Sequence, residues 1–190
     1  LKSLSLAILL GISSPVLAAA TVTALTTEGG TASYVSSDGK IAAGTINVNG
    51  MQSFRWENGL LSDLSQLPTP EYFKAMSQDG STIVTNANNG NAYRWANGVS
   101  TDLGAFSSSY GSSASAVSAD GSVVVGVSPN VAGVYQAFRW FNGVITNLGI
   151  SGHLENTWGP YVSSNGGIVL INVYDAVTCY LSPVRWENGT

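Results

Sequence analysis

The apolar positions of this chain fall into short runs that are separated by turn-forming residues. Residues 122–127 and 168–173 are rich in Val and Ile, and each run follows an Asp-Gly or Asn-Gly pair. Runs of this length and composition are typical of buried β-strands. Beyond residue 20, no segment repeats its apolar positions with the 3.6-residue period of a helix. The pattern therefore predicts an all-β fold.

Two short phrases recur four times within this pattern. The first is Ser-x-Asp-Gly, with Asn-Gly in its fourth copy, and the second is Arg-Trp-x-Asn-Gly. Successive copies of the second phrase lie 39–46 residues apart, and a period of this length indicates a repeat architecture. Every Arg of the chain belongs to the second phrase. The repeated pairs are Arg55 and Trp56, Arg94 and Trp95, Arg139 and Trp140, and Arg185 and Trp186.

Each repeat predicts four short antiparallel strands, which we name A to D. An Asp-Gly or Asn-Gly turn joins A to B, and an Asn-Gly turn joins C to D. Flanked by apolar runs, such pairs indicate type I′ hairpins, and the Arg-Trp pair falls on strand C. Four strands per repeat are typical of a β-propeller blade, so we expect a β-propeller-like array of four-stranded antiparallel blades, with a β-solenoid as the alternative. The repeats cover about residues 34–67, 75–106, 116–150 and 161–190.

The two ends of the sequence bear on the location of the protein and on whether its blades close into a ring. Residues 1–20 have the pattern of a secretory signal peptide, namely Lys2, an apolar run and a small-residue cleavage site. This predicts export and leaves residues 21–190 as the repeat domain, in which we expect no transmembrane helix. Residues 21–25 align with the D strands of later repeats, whereas the last repeat stops before its own D strand would begin. A ring of four blades closed by residues 21–25 fits this pattern, but we favour a chain that continues past residue 190, because four blades are the small end of the range.

Composition and charge exclude several classes of function. Charged residues make up 9% of the chain and the formal net charge is −4, so nucleic acid is not an expected partner. Each Asp-Gly turn supplies one carboxylate, too few for a calcium loop, and a single His with a single Cys does not make a zinc site. We therefore predict no metal and no cofactor. Cys179, the one Cys, is expected to be a buried free thiol, with pairing to a Cys outside this sequence as the alternative.

The repeated Arg is expected to have a structural role. Alternation along a strand places Phe54 and Trp56 on one face and Arg55 on the other. Both faces of a blade pack on neighbours, so the guanidinium group should be partly buried and hydrogen-bonded. Asp63 and Asp102 are the predicted partners, across the C–D hairpin from the first two Arg residues. A ring of four Arg around an anionic ligand is the alternative.

The connections between strands differ in length on the two sides of the predicted array. The A–B and C–D turns are short and uniform, and they form what we name the turn rim. The B–C and D–A loops vary in length and form the loop rim. Variable loops on a rigid scaffold commonly carry binding sites, and exposed aromatic side chains suit sugars or proteins, whereas aromatic plugs over the blade ends are the alternative. The candidate ligand-binding residues are Tyr72, Tyr110, Tyr135 and Trp158.

These phrases resemble the HAF repeats of bacterial extracellular proteins, named for a His-Ala-Phe that precedes Arg-Trp. The third repeat carries Ser-x-Asp-Gly-Ser, Ala-Phe-Arg-Trp-x-Asn-Gly and Leu-Gly, and the resemblance extends over residues 21–190. The resemblance implies an exported bacterial protein, often a surface protein or an autotransporter passenger of the outer membrane, with no catalytic residue to carry over. The His itself is replaced in the four repeats by Gln52, Asn91, Gln136 and Ser182.

The predicted function is a non-catalytic binding or adhesion scaffold, located at the cell surface or outside the cell. Glycans or surface proteins are its candidate partners. The alternative is a secreted propeller hydrolase that acts on glycans. A hydrolase with a His base would have to use His153, the only His, and no nucleophile elbow surrounds it. We expect no catalytic residues, and the sequence predicts no particular oligomeric state.

Overall fold

All regular structure in the described part of the chain is β-strand. The computed structural model describes residues 24–25, 29–47, 49–62, 64, 71–151, 154, 159–175 and 177–187. In these residues fifteen strands form four separate antiparallel sheets. The predicted β-propeller-like array is therefore confirmed. The β-solenoid alternative is wrong, since the described strands pair with their neighbours in sequence and always antiparallel. The predicted signal peptide lies outside the described residues.

Each sheet is one repeat, folded as an up-and-down meander of consecutive strands. The first sheet contains β1 (Gly30–Val35), β2 (Ile41–Asn47), β3 (Met51–Glu57) and β4 (Leu60–Leu61). The second contains β5 (Glu71–Met76), β6 (Thr82–Ala87), β7 (Ala92–Ala96) and β8 (Val99–Asp102). The third contains β9 (Ser113–Val117), β10 (Val123–Pro129), β11 (Tyr135–Phe141) and β12 (Val144–Ser151). The fourth contains β13 (Tyr161–Val162), β14 (Ile168–Asp175) and β15 (Tyr180–Glu187).

The two turns of a repeat have different backbone geometry. In the first C–D turn both central residues have positive φ, 51° at Asn58 and 87° at Gly59, as type I′ requires. In the A–B turn only the glycine does, with φ of 73° at Gly39, so the prediction of type I′ is wrong there. The reason is that Oδ1 of Asp38 accepts hydrogen bonds from Ser36 Oγ at 2.7 Å and from Lys40 N at 3.0 Å. This side chain sets the turn by binding its own loop.

The hydrophobic core lies between the repeats. Ala43 of β2 and Ile83 of β6 are fully buried in one cluster, at the contact of the first and second sheets. Val84 of β6, the next residue, belongs to a second cluster with Phe138 of β11. A third cluster joins Val125 of β10 to the fourth sheet. Strand B is therefore apolar on both faces, which explains why it appears in the sequence as a continuous apolar run.

A backbone hydrogen bond repeats at every contact between sheets. The N–H of Ser37 donates to the carbonyl of Gln78 at 2.8 Å, and the N–H of Gln78 donates to Ala119 at 3.1 Å. The N–H of Ala119 then donates to Ser164 at 3.0 Å. These four residues occupy the same place in their A–B turns. Each repeat thus donates to the repeat that follows it.

The repeated Arg belongs to the same junctions. Nε of Arg55 donates to the carbonyl of Gly80 at 2.9 Å. The matching bonds run from Arg94 to Gly121 at 2.8 Å and from Arg139 to Gly166 at 3.2 Å. The guanidinium group of Arg94 also lies over the Trp140 ring, 5.7 Å from its centroid. Each of these three groups is partly buried and hydrogen-bonded, as predicted.

The partners predicted for the Arg side chains are corrected by these contacts. Asp102 accepts a hydrogen bond from Nδ2 of Asn91 at 2.9 Å, not from Arg94. The predicted pair is wrong because the acceptor for Arg94 comes from the next repeat, 27 residues away. Asp63 lies outside the described residues. Arg185 has half of its side chain exposed and pairs with Glu187 of its own strand at 2.7 Å, so partial burial is wrong for this copy.

The fourth sheet differs from the others in having three strands in its described part. Of the segment predicted to supply a D strand, residues 21–23 lie outside the described residues, and Ala24 and Leu25 are not in a strand. Cys179 is exposed, with φ of 60°, so its predicted burial is wrong: it lies in the turn between β14 and β15 and not in a strand. In the described ranges no helix is both long enough and apolar enough to cross a membrane.

Candidate functional site

A polar cavity of about 360 Å³ opens on the loop rim, between the second and third repeats. One wall comes from the B–C loop of the second repeat. The other wall comes from the D–A loop that leads into β9. A pocket of this size lies within the range of small-molecule sites. Its lining residues are Asn89, Asn91, Ala105 and residues 107–111, which include Tyr110.

The B–C wall is held by a chain of side-chain hydrogen bonds. Nδ2 of Asn89 donates to the hydroxyl oxygen of Tyr93 at 2.6 Å, and Oδ1 of Asn89 accepts from the N–H of Asn91 at 3.1 Å. Nδ2 of Asn91 donates to Asp102 at 2.9 Å. Burial and the nearby Asp102 carboxylate raise the pKa of Tyr93, against the hydrogen bond from Asn89, so this phenol stays neutral. Two amide groups are thereby held at the mouth of the cavity.

The D–A wall is anchored to both neighbouring repeats. The N–H of Ser112 donates to the carbonyl of Gly90 at 2.9 Å, and Ser112 Oγ accepts from the N–H of Ala92 at 3.1 Å. From the third repeat, Oγ of Ser128 donates to the carbonyl of Gly111 at 3.0 Å. A side chain at Gly111 would collide with the Gly90 carbonyl, so glycine is required at this close approach. Few degrees of freedom remain in the loop, and the cavity is largely preformed.

Tyr110 is the aromatic residue of the cavity. This residue is 45% exposed. A Cβ placed on Gly133 would lie 3.3 Å from the Tyr110 hydroxyl oxygen, so the ring extends from the cavity toward the B–C loop of the third repeat. Tyr110 therefore presents an accessible ring beside fixed amide and hydroxyl groups.

The structure separates the other predicted binding residues from this cavity. Tyr72 lies within β5, not in a loop, and is 48% exposed. Tyr135 begins β11 and packs against the core cluster between the third and fourth repeats. Its role matches the alternative of an aromatic plug. Trp158, like His153, lies outside the described residues.

Sequence reasoning missed the two Asn residues of the cavity. The signal available was the cluster at residues 88–91, where three Asn residues surround Gly90 in a connection between strands. Asn91 also occupies the position of the family His in the resemblance described above. Asp102, the hydrogen-bond partner of Asn91 across the C–D hairpin, was predicted to be the partner of Arg94 instead.

The cavity carries no catalytic or metal-binding constellation in the described residues. Its lining side chains are uncharged. Over the part of the chain that the structure describes, no group of three or more His, Cys, Asp or Glu residues is placed to hold a metal ion. The arrangement can donate and accept hydrogen bonds and can stack an aromatic ring, which is the chemistry of recognition.

The turn rim has the opposite character, because its polar groups bind one another. Oγ of Ser118 donates to Asp120 at 2.6 Å, and the N–H of Ser122 donates to the same carboxylate at 3.0 Å. These bonds lower the pKa of Asp120 from 3.8 to about 2. The equivalent Asp38 has a pKa of about 2 for the same reason, the hydrogen bond from Ser36 first. The turn rim is therefore not the candidate site.

Solved structures with a similar fold include β-propeller proteins. TolB from Acinetobacter baumannii matches with a TM-score of 0.59 and 18% identity, over 90% of this chain and 43% of that chain. A TolB-like protein from Agrobacterium tumefaciens matches with a TM-score of 0.59 and 19% identity, over 82% and 60%. A GH74 xyloglucanase from Xanthomonas campestris matches with a TM-score of 0.54 and 13% identity, over 82% and 24%. The chain thus spans less than two thirds of each, and the likeness is one of fold.

No protein-family model and no curated protein matches the chain. The resemblance to HAF repeats therefore stays a prediction from the repeated phrases.

Proposed function

We propose that this chain is an exported, non-catalytic binding scaffold that recognises uncharged glycans in the cavity of the loop rim. The observation that carries the proposal is the composition of the cavity: two fixed Asn amides, several Ser hydroxyls and the exposed ring of Tyr110, with no charged side chain in the lining. Ligand sites commonly combine a few placed polar groups with an aromatic surface.

The chemistry of a sugar ring matches this composition. Its hydroxyl groups both donate and accept hydrogen bonds, and Asn amides and Ser hydroxyls also do both. Its C–H face packs on an aromatic ring, and Tyr combines such a surface with a polar end. A charged ligand would need a counter-charge, which the lining does not offer. These points favour a neutral glycan over an anionic one.

Export and surface location rest on the signal-like residues 1–20, the low content of charged residues and the HAF-like phrases. A place at the cell surface, as part of a larger secreted protein such as an autotransporter passenger, belongs to the same proposal. Among the described residues, the lining of the cavity contains no paired acid and base, and this favours binding over hydrolysis.

A glycan array tests the proposal. The chain is applied to neutral and anionic glycans, and the affinity for the best ligand is measured by calorimetry. We expect neutral glycans to bind, and Tyr110→Ala to weaken binding at least tenfold, which corresponds to a loss of about 1.4 kcal/mol. Asn89→Ala should act in the same direction because it removes a hydrogen-bonding amide.

Tyr72→Ala is the matched control, since Tyr72 is as exposed as Tyr110 but lies outside the cavity; its affinity should equal that of the wild type. Binding that survives Tyr110→Ala, or no binding to any neutral glycan, would contradict the proposed site. Release of shorter sugars from the bound glycan would instead support the hydrolase alternative.

A further inference from the structure

The C–D hairpins of the second and third repeats carry matching side-chain pairs whose hydrogen bonds run in opposite directions. In the second repeat, Nδ2 of Asn91 on the C side donates to Asp102 on the D side at 2.9 Å. In the third repeat, Nδ2 of Asn147 on the D side donates to Oε1 of Gln136 on the C side at 2.9 Å. In both repeats the C-side residue lies three positions before the repeated Arg and the D-side residue eight positions after it. The positions are therefore equivalent, and the direction of the bond is reversed.

The chemistry of the D-side residue sets this direction. In both repeats its Oδ1 accepts a hydrogen bond at 2.8 Å from the N–H of a following glycine, Gly104 or Gly149. The two glycines have nearly equal φ, 76° and 74°, so the local turn is the same. An ionised carboxylate can only accept, so Asp102 must receive a hydrogen from Asn91. The amide of Asn147 binds the glycine through its oxygen and has its Nδ2 left to donate.

The residue opposite on strand C differs in the same sense. Tyr93 lies opposite Asp102 in the pairing of β7 with β8, and Phe138 lies opposite Asn147 in the pairing of β11 with β12. The oxygen of the Tyr93 hydroxyl accepts from Asn89 at 2.6 Å, and the hydroxyl still has a proton to donate. A buried Phe offers no such group. The carboxylate therefore belongs to the polar setting of the cavity wall.

The orientation of the Asn91 amide decides which of its groups a ligand meets. Asn91 lines the cavity, whereas Asp102 does not. Because Nδ2 is turned to Asp102, the carbonyl end of the amide is the end that is left for a ligand. Within the described ranges, no group donates a hydrogen bond to Oδ1 of Asn91. The cavity thus offers an acceptor at this point, and an acceptor binds a ligand hydroxyl only when that hydroxyl donates.

We propose that Asp102 is a positioning residue of the loop-rim cavity, which holds the Asn91 amide with Oδ1 toward the ligand, so that the site selects a sugar whose hydroxyl donates at this contact. The selection rests on the proposed function. In Asp102→Asn, the introduced amide should repeat the arrangement of the third repeat and donate to Oδ1 of Asn91. Nδ2 of Asn91 then turns to the ligand, and the cavity offers a donor in place of an acceptor.

The first measurement uses the free protein and tests the positioning alone. Hydrogen exchange of the side-chain amides is followed by NMR, because a hydrogen-bonded amide proton exchanges more slowly than a free one. The Asn91 amide should be protected in the wild type, and Asp102→Asn should remove that protection. The matched control is the reverse change, Asn147→Asp, which should create protection at Gln136 and leave Asn91 unchanged. An unprotected Asn91 in the wild type, or protection that survives Asp102→Asn, would overturn the positioning.

The second measurement tests the selection with defined sugars. Methyl β-glucopyranoside, methyl β-galactopyranoside and methyl α-mannopyranoside are titrated and followed by the NMR shifts of the Asn89 and Asn91 amides. Each sugar that binds is compared with its monodeoxyfluoro analogues, in which fluorine replaces one hydroxyl at similar size and cannot donate. For the wild type and for Asn147→Asp, one analogue should bind about fivefold more weakly than its parent, which is the effect of about one hydrogen bond.

The ratio of these two affinities separates positioning from a merely structural role. In Asp102→Asn the ratio should fall to about one, because a donor accepts either oxygen or fluorine as its partner. A general loosening of the cavity would weaken parent and analogue equally and keep the ratio, and that result would overturn the proposal. A wild type that binds a sugar and all its analogues equally would overturn the selection while leaving the glycan site in place. Absence of binding by all three sugars would also overturn the selection, and the glycan array decides separately whether the proposed function holds.

Discussion

The junctions between repeats and the loop rim follow opposite rules. At the junctions the same contacts recur: an Arg donates to the next turn glycine, and an A–B turn N–H donates to the next turn carbonyl. On the loop rim each connection has its own length and contacts, and two of these connections form the cavity beside Tyr110. Structure that must be repeated leaves little freedom for a ligand site. The difference favours the loop rim, where the repeats diverge, as the place for the proposed binding site.

The largest expected effect is a difference in stability between a substitution at a junction and a substitution on the loop rim. Trp140 is 7% exposed and packs in the cluster between the second and third repeats. Trp140→Ala should lower the free energy of unfolding by about 3–5 kcal/mol, as the loss of a core aromatic does. Tyr110→Ala on the loop rim should change it by about 1 kcal/mol or less. Urea denaturation measures both, and equal losses would break the comparison.

Two glycines with similar backbone conformation allow the junctions and the loop rim to be compared directly. Gly121 at a junction and Gly133 on the loop rim have nearly equal positive φ, 72° and 78°. Alanine at either position costs about 1–2 kcal/mol for the left-handed conformation. At Gly121 the new Cβ also overlaps the Thr82 side chain of the preceding repeat, which adds about 1–3 kcal/mol. Gly121→Ala should therefore be the less stable variant by thermal denaturation, and the reverse order would contradict the junction contact.

The smallest effect concerns pH and the turn beside each junction. Since the pKa of Asp120 is lowered from 3.8 to about 2 in the folded chain, its ionised form stabilises the fold above pH 3.8. That contribution is lost as the pH falls from 3.8 through about 2. Asp120→Asn should remove this part of the pH dependence, so the stability difference between wild type and variant should shrink over that interval. Denaturation at a series of pH values measures it.

The fourth repeat already contains the control for that experiment. Asn165 stands in the place of Asp120, accepting from Ser163 Oγ at 2.7 Å and from Gly167 N at 3.1 Å. The neutral amide keeps the turn geometry without the titrating charge. Asp120→Asn should thus retain the fold, and an unfolded variant would contradict this account of the turn.

The sequence predicts the local structure well where one residue pair decides it. Asn58 and Gly59 adopt the type I′ turn because both tolerate positive φ. The A–B turn was predicted as the same type because Asp-Gly also permits it. The side chain of Asp38, however, binds the Ser and the backbone around it. Such a competing hydrogen bond depends on the loop geometry and is not visible in the residue pair.

Contacts between repeats could not be predicted from the sequence, because the distance between residues along one hairpin says nothing about the neighbouring repeat. Asp102 is near Arg94 in sequence, but the acceptor for Arg94 is Gly121 of the following repeat. The cavity depends on two loops from different connections, so Tyr110 was found as an exposed aromatic while Asn89 and Asn91 were not. Tyr135 is partly buried against the core cluster between the third and fourth repeats, and this contact too is made between repeats and is not visible in one hairpin.

The direction of the Arg bonds has a consequence for how such a chain can change during evolution. At each of the three described junctions the Arg of one repeat donates to the turn glycine of the next repeat. A duplicated copy of one whole repeat brings both halves of the contact with it, so an in-frame duplication between two existing repeats leaves no donor or acceptor without a partner. Unequal recombination within the gene can therefore change the number of units in single steps, while the connections of the loop rim vary independently of the junctions.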